Sequence, residues 1–174
     1  MVIMVYLSVD PLIETEVLTC LDLELRPIND GDQSFLKQVY ASTREEELAI
    51  APWSENEKET FLEFQFNAQH TFYQNQFRDA AFWVIEQTGE PIGRLYLDRR
   101  ADEIRIIDIS LLPTYRDRGI GTALLTAVLA EGTAKQQPVR IHVEYNNRAI
   151  TLYRRFGFIQ IGGDDVYKLM EWSP

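Results

Sequence analysis

The chain of 174 residues contains 45% hydrophobic and 25% charged residues, which are typical values for one globular domain. Its apolar runs are shorter than the ~20 residues of a membrane-spanning helix, which argues against a membrane protein. The single Cys20 excludes an intrachain disulfide framework. The two histidines, His70 and His142, lie far apart in the sequence and argue against a metal site.

Charge is distributed unevenly along the chain. Residues 1–87 carry 5 Lys/Arg and 16 Asp/Glu, a balance of −11, and residues 88–174 carry 12 and 11, a balance of +1, which together give the net charge of −10. Such a chain lacks the broad basic face that nucleic acids require. The imbalance fits a polyanionic cofactor on the second half and a cationic acceptor near the first, but acidic surfaces also serve solubility alone.

The first twenty residues show no clear period, and we interpret them as an N-terminal extension with one extra strand expected from Ile3 to Ser8. Residues 21–174 are then expected to form a single domain. The start of the chain is apolar but short, and it has no basic leader, so we expect a cytoplasmic protein. Leu21 to Ile28 alternates between apolar and charged residues, which predicts a half-buried strand.

Two helices are predicted next. Asn29 or Asp30 can cap the first helix, and the capping box Ser54–Glu57 starts the second. The connection between the helices, from Thr43 to Trp53, is long enough to form one wall of a site. The apolar residues of the second helix with helical spacing are Phe61, Phe64, Ala68 and Phe72, and they are flanked by Leu62 and Phe66.

The second half of the chain alternates between strands and helices. Ala81–Gln87 and Ile92–Asp98 predict a hairpin with a loop of about four residues. A strand starts at Ile104 and a helix follows Gly119, and the remaining strand, helix and two strands are expected at 139–145, 147–156, 158–161 and 166–172. This order, β-α-α-β-β-β-α-β-α-β-β, predicts an α/β fold with a mixed sheet.

A strand, a loop with two glycines and a helix follow one another from Ile107 to Leu125. The mostly apolar stretch before Pro113 predicts a strand that is buried on both faces. Gly119 and Gly121 allow backbone to approach a ligand closely. The unpaired N–H groups and the dipole at the start of the helix favour a phosphate group there.

Three phosphate-binding patterns are candidates for this loop. A Walker loop requires Gly-Lys-Ser/Thr, which the chain lacks. A dinucleotide-binding fingerprint requires a third glycine where Leu124 stands. The pattern that remains, Arg-x-x-Gly-x-Gly from Arg116 to Gly121, is similar to the pyrophosphate-binding signature of the GNAT N-acetyltransferase superfamily. Downstream, the stretch from Asn147 through Leu152-Tyr153 to Gly157-Phe158 resembles the later GNAT motif.

The resemblance covers about residues 21–173 and implies the GNAT fold, in which a central strand and the next parallel strand splay apart. It implies transfer of an acetyl group from acetyl-CoA to an amine of an unidentified acceptor. Backbone N–H groups of the loop would hold the pyrophosphate, and the splayed strand would hold the pantetheine arm. The implied cofactor-binding residues are Ile109, Ser110, Leu111, Arg116, Asp117, Arg118, Gly119, Ile120, Gly121, Thr122 and either Asn146 or Asn147.

The resemblance also implies catalytic roles. Tyr153 matches the family's general acid, which protonates the departing thiolate, and the N–H of Ile109 would donate to the thioester oxygen. The attacking amine needs a base, but Arg105 and Ile141 stand where some relatives carry a carboxylate. The remaining candidates for the base are Asp108, Glu144, Glu47, Glu103 and His142, of which Asp108 and Glu144 are retained as catalytic residues.

Two alternatives stay open at this point. The chain could be a cofactor-binding sensor or scaffold without turnover, because the strand carboxylate of some relatives is missing. A homodimer is also compatible with the sequence, because the N-terminal extension and the final strands offer free edges for pairing.

Overall fold

The computed structural model describes residues 16–174, so the strand expected from Ile3 to Ser8 lies outside the described residues. The helices of this part are α1 (Glu16–Thr19), α2 (Gln33–Ser42), α3 (Glu45–Ala49), α4 (Glu55–Gln76), α5 (Ile120–Lys135) and α6 (Ile150–Arg155). The strands are β1 (Leu23–Pro27), β2 (Ala81–Gln87), β3 (Glu90–Arg99), β4 (Ile104–Leu111), β5 (Val139–Glu144), β6 (Ile159–Gly163) and β7 (Tyr167–Trp172).

The strands form one mixed sheet in the order β1-β2-β3-β4-β5-β7-β6. Strands β4 and β5 are parallel, because α5 carries the chain back across the sheet, and the other described neighbours are antiparallel. The mixed α/β sheet predicted from the sequence is confirmed. No helix within residues 16–174 is long and apolar enough to cross a membrane.

Helices cover the two faces of the sheet unequally. Strand residues such as Ile106 and Ile141 pack with Leu124 of α5 in the larger core. The opposite face has a smaller core, in which Phe66 of α4 packs with residues of α2 and β2. Leu18 of α1 is also buried in the larger core, although it precedes the domain boundary predicted at residue 21.

The parallel pair β4–β5 separates part-way along its length. It is paired from Ile104 with Val139 to Ile106 with Ile141, and no pairing continues beyond these residues. On its other side β4 has a bulge, because Leu97 of β3 opposes Ile106 while the adjacent Tyr96 opposes Asp108. The extra residue, Ile107, resets the alternation of side chains, so that Asp108 faces α4 although Ile106 faces α5.

The capping box of α4 is confirmed, since Ser54 accepts from the N–H of Glu57 and Glu57 accepts from the N–H of Ser54. The apolar residues with helical spacing in α4 do not form its buried side, to which the flanking Phe66 belongs. Phe64 is 68% exposed and Phe72 is 57% exposed, whereas Phe66 is 2% exposed. Both sides of this helix carry aromatic residues, so the apolar period alone could not identify the side that packs on the sheet.

Two local expectations also differ from the structure. The hairpin β2–β3 has a two-residue turn, Thr88-Gly89, instead of the predicted loop of about four residues. Both turn residues have positive φ, 50° and 80°, which matches the twist of the two strands. In β4 the residues from Ile107 to Leu111 are half-buried rather than buried on both faces, because β5 no longer lies beside them.

Candidate active site

A cavity of about 160 Å³ occupies the gap where β4 and β5 separate. Its walls include Ile109 of β4 and Val143 of β5. Tyr153 lines it from the α5 side of the sheet, while Arg44 and Gln69 line it from the α4 side. Side chains from both faces thus border one space, so the cavity passes through the sheet. A larger hollow of about 520 Å³ lies among α2, α3 and α4, away from this gap.

The backbone of β4 presents unpaired groups to the gap. The N–H of Leu112 donates to the carbonyl of Ile92 at 2.9 Å, so Leu112 bonds toward β3. Because successive residues of a strand direct their hydrogen bonds to opposite sides, the N–H groups of Ile109 and Leu111 point away from β3 and toward the gap. The sequence-based expectation for Ile109 requires this orientation.

The loop before α5 leaves a row of backbone N–H groups available. Gly119 adopts a φ of 83°, a left-handed conformation that favours glycine, and turns the chain into the helix. The first intrahelical bond runs from the N–H of Ala123 to the carbonyl of Gly119. Within residues 16–174, the N–H groups from Asp117 to Thr122 have no hydrogen-bond partner. Such a row of N–H groups at the positive end of a helix dipole is suited to an anion.

The charged side chains of this loop have different environments. Arg116 donates from Nε to the carbonyl of Leu111 at 2.9 Å and from Nη2 to the carbonyl and hydroxyl of Ser42. Arg116 therefore links the loop to the end of α2 through these hydrogen bonds. Arg118 lies over the ring of Tyr115, and the exposed Asp117 lies 3.8 Å from Arg148. The roles of Arg116 and Arg118 in phosphate binding stay predictions.

Tyr153 is a buried phenol beside the cavity. Its side chain is 3% exposed, and its ring packs on Phe158 at 5.6 Å between centroids. Burial, and next the negative charge of Asp108, raise the pKa of Tyr153 above its ordinary value of 10.0. The phenol is therefore protonated at neutral pH, and it borders the through-sheet cavity.

Asp108 is bonded at both carboxylate oxygens. Oδ2 accepts from Nη2 of Arg94 at 2.8 Å, and Oδ1 accepts from the hydroxyl of Ser110 at 2.7 Å. Arg94 is 2% exposed and also donates to Gln69. Burial alone would lower the pKa of Arg94, but the negative charge of Asp108 contributes to a net rise of this pKa above its ordinary value. Asp108 thus neutralises a buried cation at the wall of the cavity.

Glu144 lies at the α4 side of the cavity, where its Oε1 accepts from Nη2 of Arg44 at 3.0 Å. Arg44 also donates from Nη1 to Glu47 on α3. The phenol of Tyr167 is nearby, and its pKa is raised by burial first and then by the charge of Glu144. The carboxylate of Glu144 therefore has two neighbours at the cavity, Arg44 and the phenol of Tyr167.

The other candidates are placed differently by the fold. The carboxyl group of Glu103 accepts from three arginines at the paired end of β4 and β5, and Glu103 does not border the cavity. His142 borders it, and its pKa is lowered by burial and then by Arg105. Asn147 borders the cavity and accepts from the N–H of Ala149 in the turn before α6, whereas Asn146 is not part of the lining.

Thr43 and Arg44, from the connection expected to form one wall of a site, line the cavity on the α4 side. Sequence reasoning missed the other lining residues of that side, namely Gln69, Tyr73, Arg94 and Tyr167. One signal was available, because Arg94 interrupts an apolar strand next in the sheet to the strand of Asp108. Within residues 16–174 no three His, Cys, Asp or Glu side chains are grouped as a metal site requires.

The chain has relatives among known proteins. A family model described as "Acetyltransferase (GNAT) family" matches residues 40–158, more than half of the chain. The chain belongs to the GNAT acetyltransferase family. It is therefore an acyltransferase, of a family that uses acetyl-CoA as the acyl donor.

Individual GNAT relatives agree with this assignment. An N-alpha-acetyltransferase of Sulfurisphaera tokodaii is 29% identical over 51% of this chain and 67% of its own. The crystal structure of PaiA N-acetyltransferase from Thermoplasma acidophilum, solved in complex with coenzyme A, matches 87% of this chain and 99% of its own with a TM-score of 0.66 and 21% identity. An acetyltransferase from Thermus thermophilus matches 88% of this chain and 98% of its own with a TM-score of 0.65 and 18% identity. These structures share the fold.

Proposed function

We propose that this chain transfers the acetyl group of acetyl-CoA to a primary amine by direct attack, within the cavity between β4 and β5. The observation that carries the proposal is that this cavity passes through the sheet, with Tyr153 on one side and Glu144 on the other. A thioester could thus be reached from the α4 side, while its sulfur lies toward the α5 side.

The backbone of the chain would hold the donor. The unpartnered N–H groups from Asp117 to Thr122 suit the pyrophosphate, and the exposed edge of β4 suits the amide-containing arm of coenzyme A. Asn147 is the better candidate of the two asparagines to contact that arm, because it borders the cavity. Its Oδ1 is engaged by Ala149, which leaves the amide NH₂ to donate.

The acceptor nitrogen must be neutral to attack. Glu144 is the proposed base, because its side chain is 34% exposed beside the cavity, whereas that of Asp108 is 11% exposed and both of its oxygens are engaged by Arg94 and Ser110. Asp108 would keep the charge of the cavity wall balanced. The nitrogen lone pair then forms a bond to the thioester carbon, and the N–H of Ile109 donates to the oxygen as it gains negative charge. One such donor stabilises the transition state by about 3 kcal/mol.

Collapse of the intermediate breaks the C–S bond. The sulfur leaves with the electron pair and takes the phenolic proton of Tyr153, while the proton of the nitrogen has passed to Glu144. The products are the N-acetylated amine and the free thiol of coenzyme A, so atoms and charge balance once the proton returns to Tyr153 through solvent. The raised pKa of Tyr153 keeps its proton available for this step.

The test is release of the coenzyme A thiol from acetyl-CoA with a panel of amines, confirmed by mass spectrometry of the acetylated product. The panel contains peptides with free N-termini, diamines and amino acids. We expect release with at least one class and a loss of about 10²-fold to 10³-fold in kcat for Tyr153→Phe, with little change in KM. Binding of acetyl-CoA without release for any amine would contradict the proposal.

A further inference from the structure

The part of β4 that borders the gap is paired on one side. Its pairing with β5 ends at Ile106, and among the described strands only β3 pairs with the residues that follow. Segments with few contacts are the ones that open most readily in a native protein. The N–H of Ile109, which the proposed reaction uses, lies in this segment, so its position depends on contacts other than those of a complete sheet.

Side chains on the α4 side brace this segment. The hydroxyl of Ser110 donates to Oδ1 of Asp108 at 2.7 Å, so a hydrogen bond joins the two neighbours of Ile109. Oδ2 of Asp108 accepts from Nη2 of Arg94 at 2.8 Å, and the same nitrogen donates to Oε1 of Gln69 at 2.9 Å. A continuous series of hydrogen bonds, which we call the α4–β4 network, thus runs from Gln69 on α4 through Arg94 and Asp108 to Ser110.

The centre of the α4–β4 network is buried and charged. The side chain of Arg94 is 2% exposed and that of Asp108 is 11% exposed. Hydrogen bonds to an ionised partner are about twice as strong as neutral ones, and a low local dielectric strengthens them further. A displacement of β4 would stretch these bonds and leave buried polar groups without partners, which is costly. The network therefore opposes movement of β4 across the gap.

A close backbone contact lies beside the network. Gly93 of β3 precedes Arg94, and a Cβ at this position would collide with the carbonyl oxygen of Ser110 and lie 3.1 Å from Cα of Leu111. The absence of a side chain at Gly93 lets β4 approach β3 this closely. The backbone contact and the α4–β4 network therefore hold the same segment of β4 against β3.

We propose that the α4–β4 network positions the N–H of Ile109 where the thioester oxygen gains negative charge. The inference rests on the proposed function, which supplies the role of that N–H. A donor of this kind acts only at hydrogen-bond distance from the developing charge, and a misplacement of about 1 Å can cost about 10²-fold in rate. The hydroxyl of Ser110 is directed to Asp108, so Ser110 is a positioning residue that acts through the backbone.

Charge balance is a second role of the network and must be separated from this one. Asp108 balances the charge of the buried Arg94, and that role requires nothing from a neutral hydroxyl. Ser110→Ala removes the brace across Ile109 and keeps the ion pair. Thr133→Ala is the matched control, because it removes a hydrogen-bonded hydroxyl of α5 that does not border the cavity.

The first test is infrared spectroscopy of acetyl-CoA, isotopically labelled at its thioester carbonyl and bound to the full chain without an acceptor. A longer hydrogen bond to a carbonyl raises its stretching frequency. Ser110→Ala is therefore expected to show a higher frequency than the wild type, with an unchanged dissociation constant for acetyl-CoA and an unchanged circular dichroism spectrum. Thr133→Ala is expected to match the wild type.

The outcomes of this test separate the inference from the function on which it rests. Equal carbonyl frequencies in wild type and Ser110→Ala would overturn the positioning role. A weakened binding of acetyl-CoA with an unchanged frequency would also overturn it, because Ser110 would then contact the cofactor directly. A wild type that does not bind acetyl-CoA would contradict the proposed function itself.

Turnover gives the second readout. With an amine that the wild type acetylates, Ser110→Ala is expected to lose about 10-fold in kcat at an unchanged KM for acetyl-CoA, part of the loss that removal of an oxyanion donor causes. Because the hydroxyl carries no charge, the loss should be the same at every pH at which the wild type is active. A kcat equal to that of the wild type, or a raised KM at an unchanged kcat, would refute the inference.

Discussion

The two halves of the parallel pair β4–β5 differ in what lies between the strands. In the first half the strands are hydrogen-bonded, and Glu103 joins them by accepting from Arg105 at 2.8 Å and from Arg140 at 2.7 Å. In the second half the strands are apart, and the cavity with Tyr153 and Glu144 lies between them. The same two strands therefore close the sheet at one end and open it at the other.

The contrast shows how a gap can persist in a sheet. Unpaired backbone groups of a strand are costly when buried, so a separated pair would tend to close. The ion-paired half fixes the spacing of the strands at one end, while the polar side chains of the other half leave the gap accessible to a ligand. The first half is expected to determine stability and the second half activity, and the following changes test this division.

The largest expected effect concerns Glu103→Gln. Its side chain is 3% exposed, and the variant leaves the partly buried Arg105 without a carboxylate, while Arg100 and Arg140 keep Asp98 and Glu171. We expect a loss of about 3 kcal/mol in the free energy of unfolding at pH 7. Unfolding by urea measures it. Glu47→Gln, whose side chain is 63% exposed, is the control and should lose less than about 1 kcal/mol. The kcat of Glu103→Gln should stay within a few-fold of wild type. A loss of kcat without a loss of stability would contradict the assignment of stability to the paired half and activity to the separated half.

This loss should depend on pH. Burial raises the pKa of Glu103, but hydrogen bonds from Arg105 and Arg140 outweigh it and lower the pKa below the ordinary value of 4.5. A lowered folded-state pKa gives stability that is fully present above 4.5 and lost as pH falls through the folded value. The difference between wild type and Glu103→Gln should therefore shrink in urea unfolding at about pH 3.

Glu144→Gln changes the separated half of the β4–β5 pair and should have the next largest effect, a loss of activity. The amide can still accept from Arg44 but cannot take a proton, so we expect kcat/KM to fall by about 10²-fold with stability unchanged within about 0.5 kcal/mol. Steady-state kinetics measures this loss. If Glu144→Gln retains full activity while Asp108→Asn, still folded, loses it, then Asp108 is the base.

Gly119→Ala is expected to have a smaller effect, and Gly89→Ala is its matched control. Both glycines have positive φ, 83° and 80°, and an added Cβ meets no atom within 4 Å at either position. Each variant should lose about 1 kcal/mol of stability from backbone strain. Only Gly119→Ala should raise the KM for acetyl-CoA, by several-fold, because only that backbone presents N–H groups to the pyrophosphate. Equal KM values in both variants would contradict this role.

The smallest expected effect concerns the pH dependence of kcat, which should not fall on the alkaline side. Because burial raises the pKa of Tyr153 above 10.0, the phenol keeps its proton up to about pH 10. The kcat of the wild type should therefore not decline between neutral pH and about pH 9.5. A decline that Tyr153→Phe abolishes would show that the phenol titrates in this range.

The parts of the site that are local in sequence could be predicted. Gly119 and Gly121 follow a strand and precede a helix, and Tyr153 stands in a recognisable motif, so short-range pattern was enough. Arg44 could not be predicted, because its partner Glu144 is 100 residues away and the contact depends on how α2 ends above β5. Arg94 was visible as a charge in an apolar strand, but its pairing with Asp108 depends on the register of β3 and β4.

The outer and inner sides of α4 could not be distinguished from the sequence. Phe64 and Phe66 are both aromatic, and only the packing of α4 against Tyr40 and Val84 selects Phe66 for the core. The bulge at Ile107 did leave a signal in the sequence, because the alternation of apolar and polar residues changes phase at Ile106-Ile107, but the expectation of a strand buried on both faces did not use it.

That bulge has a consequence for changes in chain length. Because Ile107 is the extra residue of β4, its deletion would leave Ile106 and Asp108 adjacent and still on opposite faces, so Asp108 would keep its direction toward Arg94. What the deletion removes is the added twist and bend that a bulge gives a strand, close to the point where β4 leaves β5. The expected cost of a β4 shortened at Ile107 is therefore a changed gap and a lower activity, with the ion pair of Arg94 and Asp108 intact.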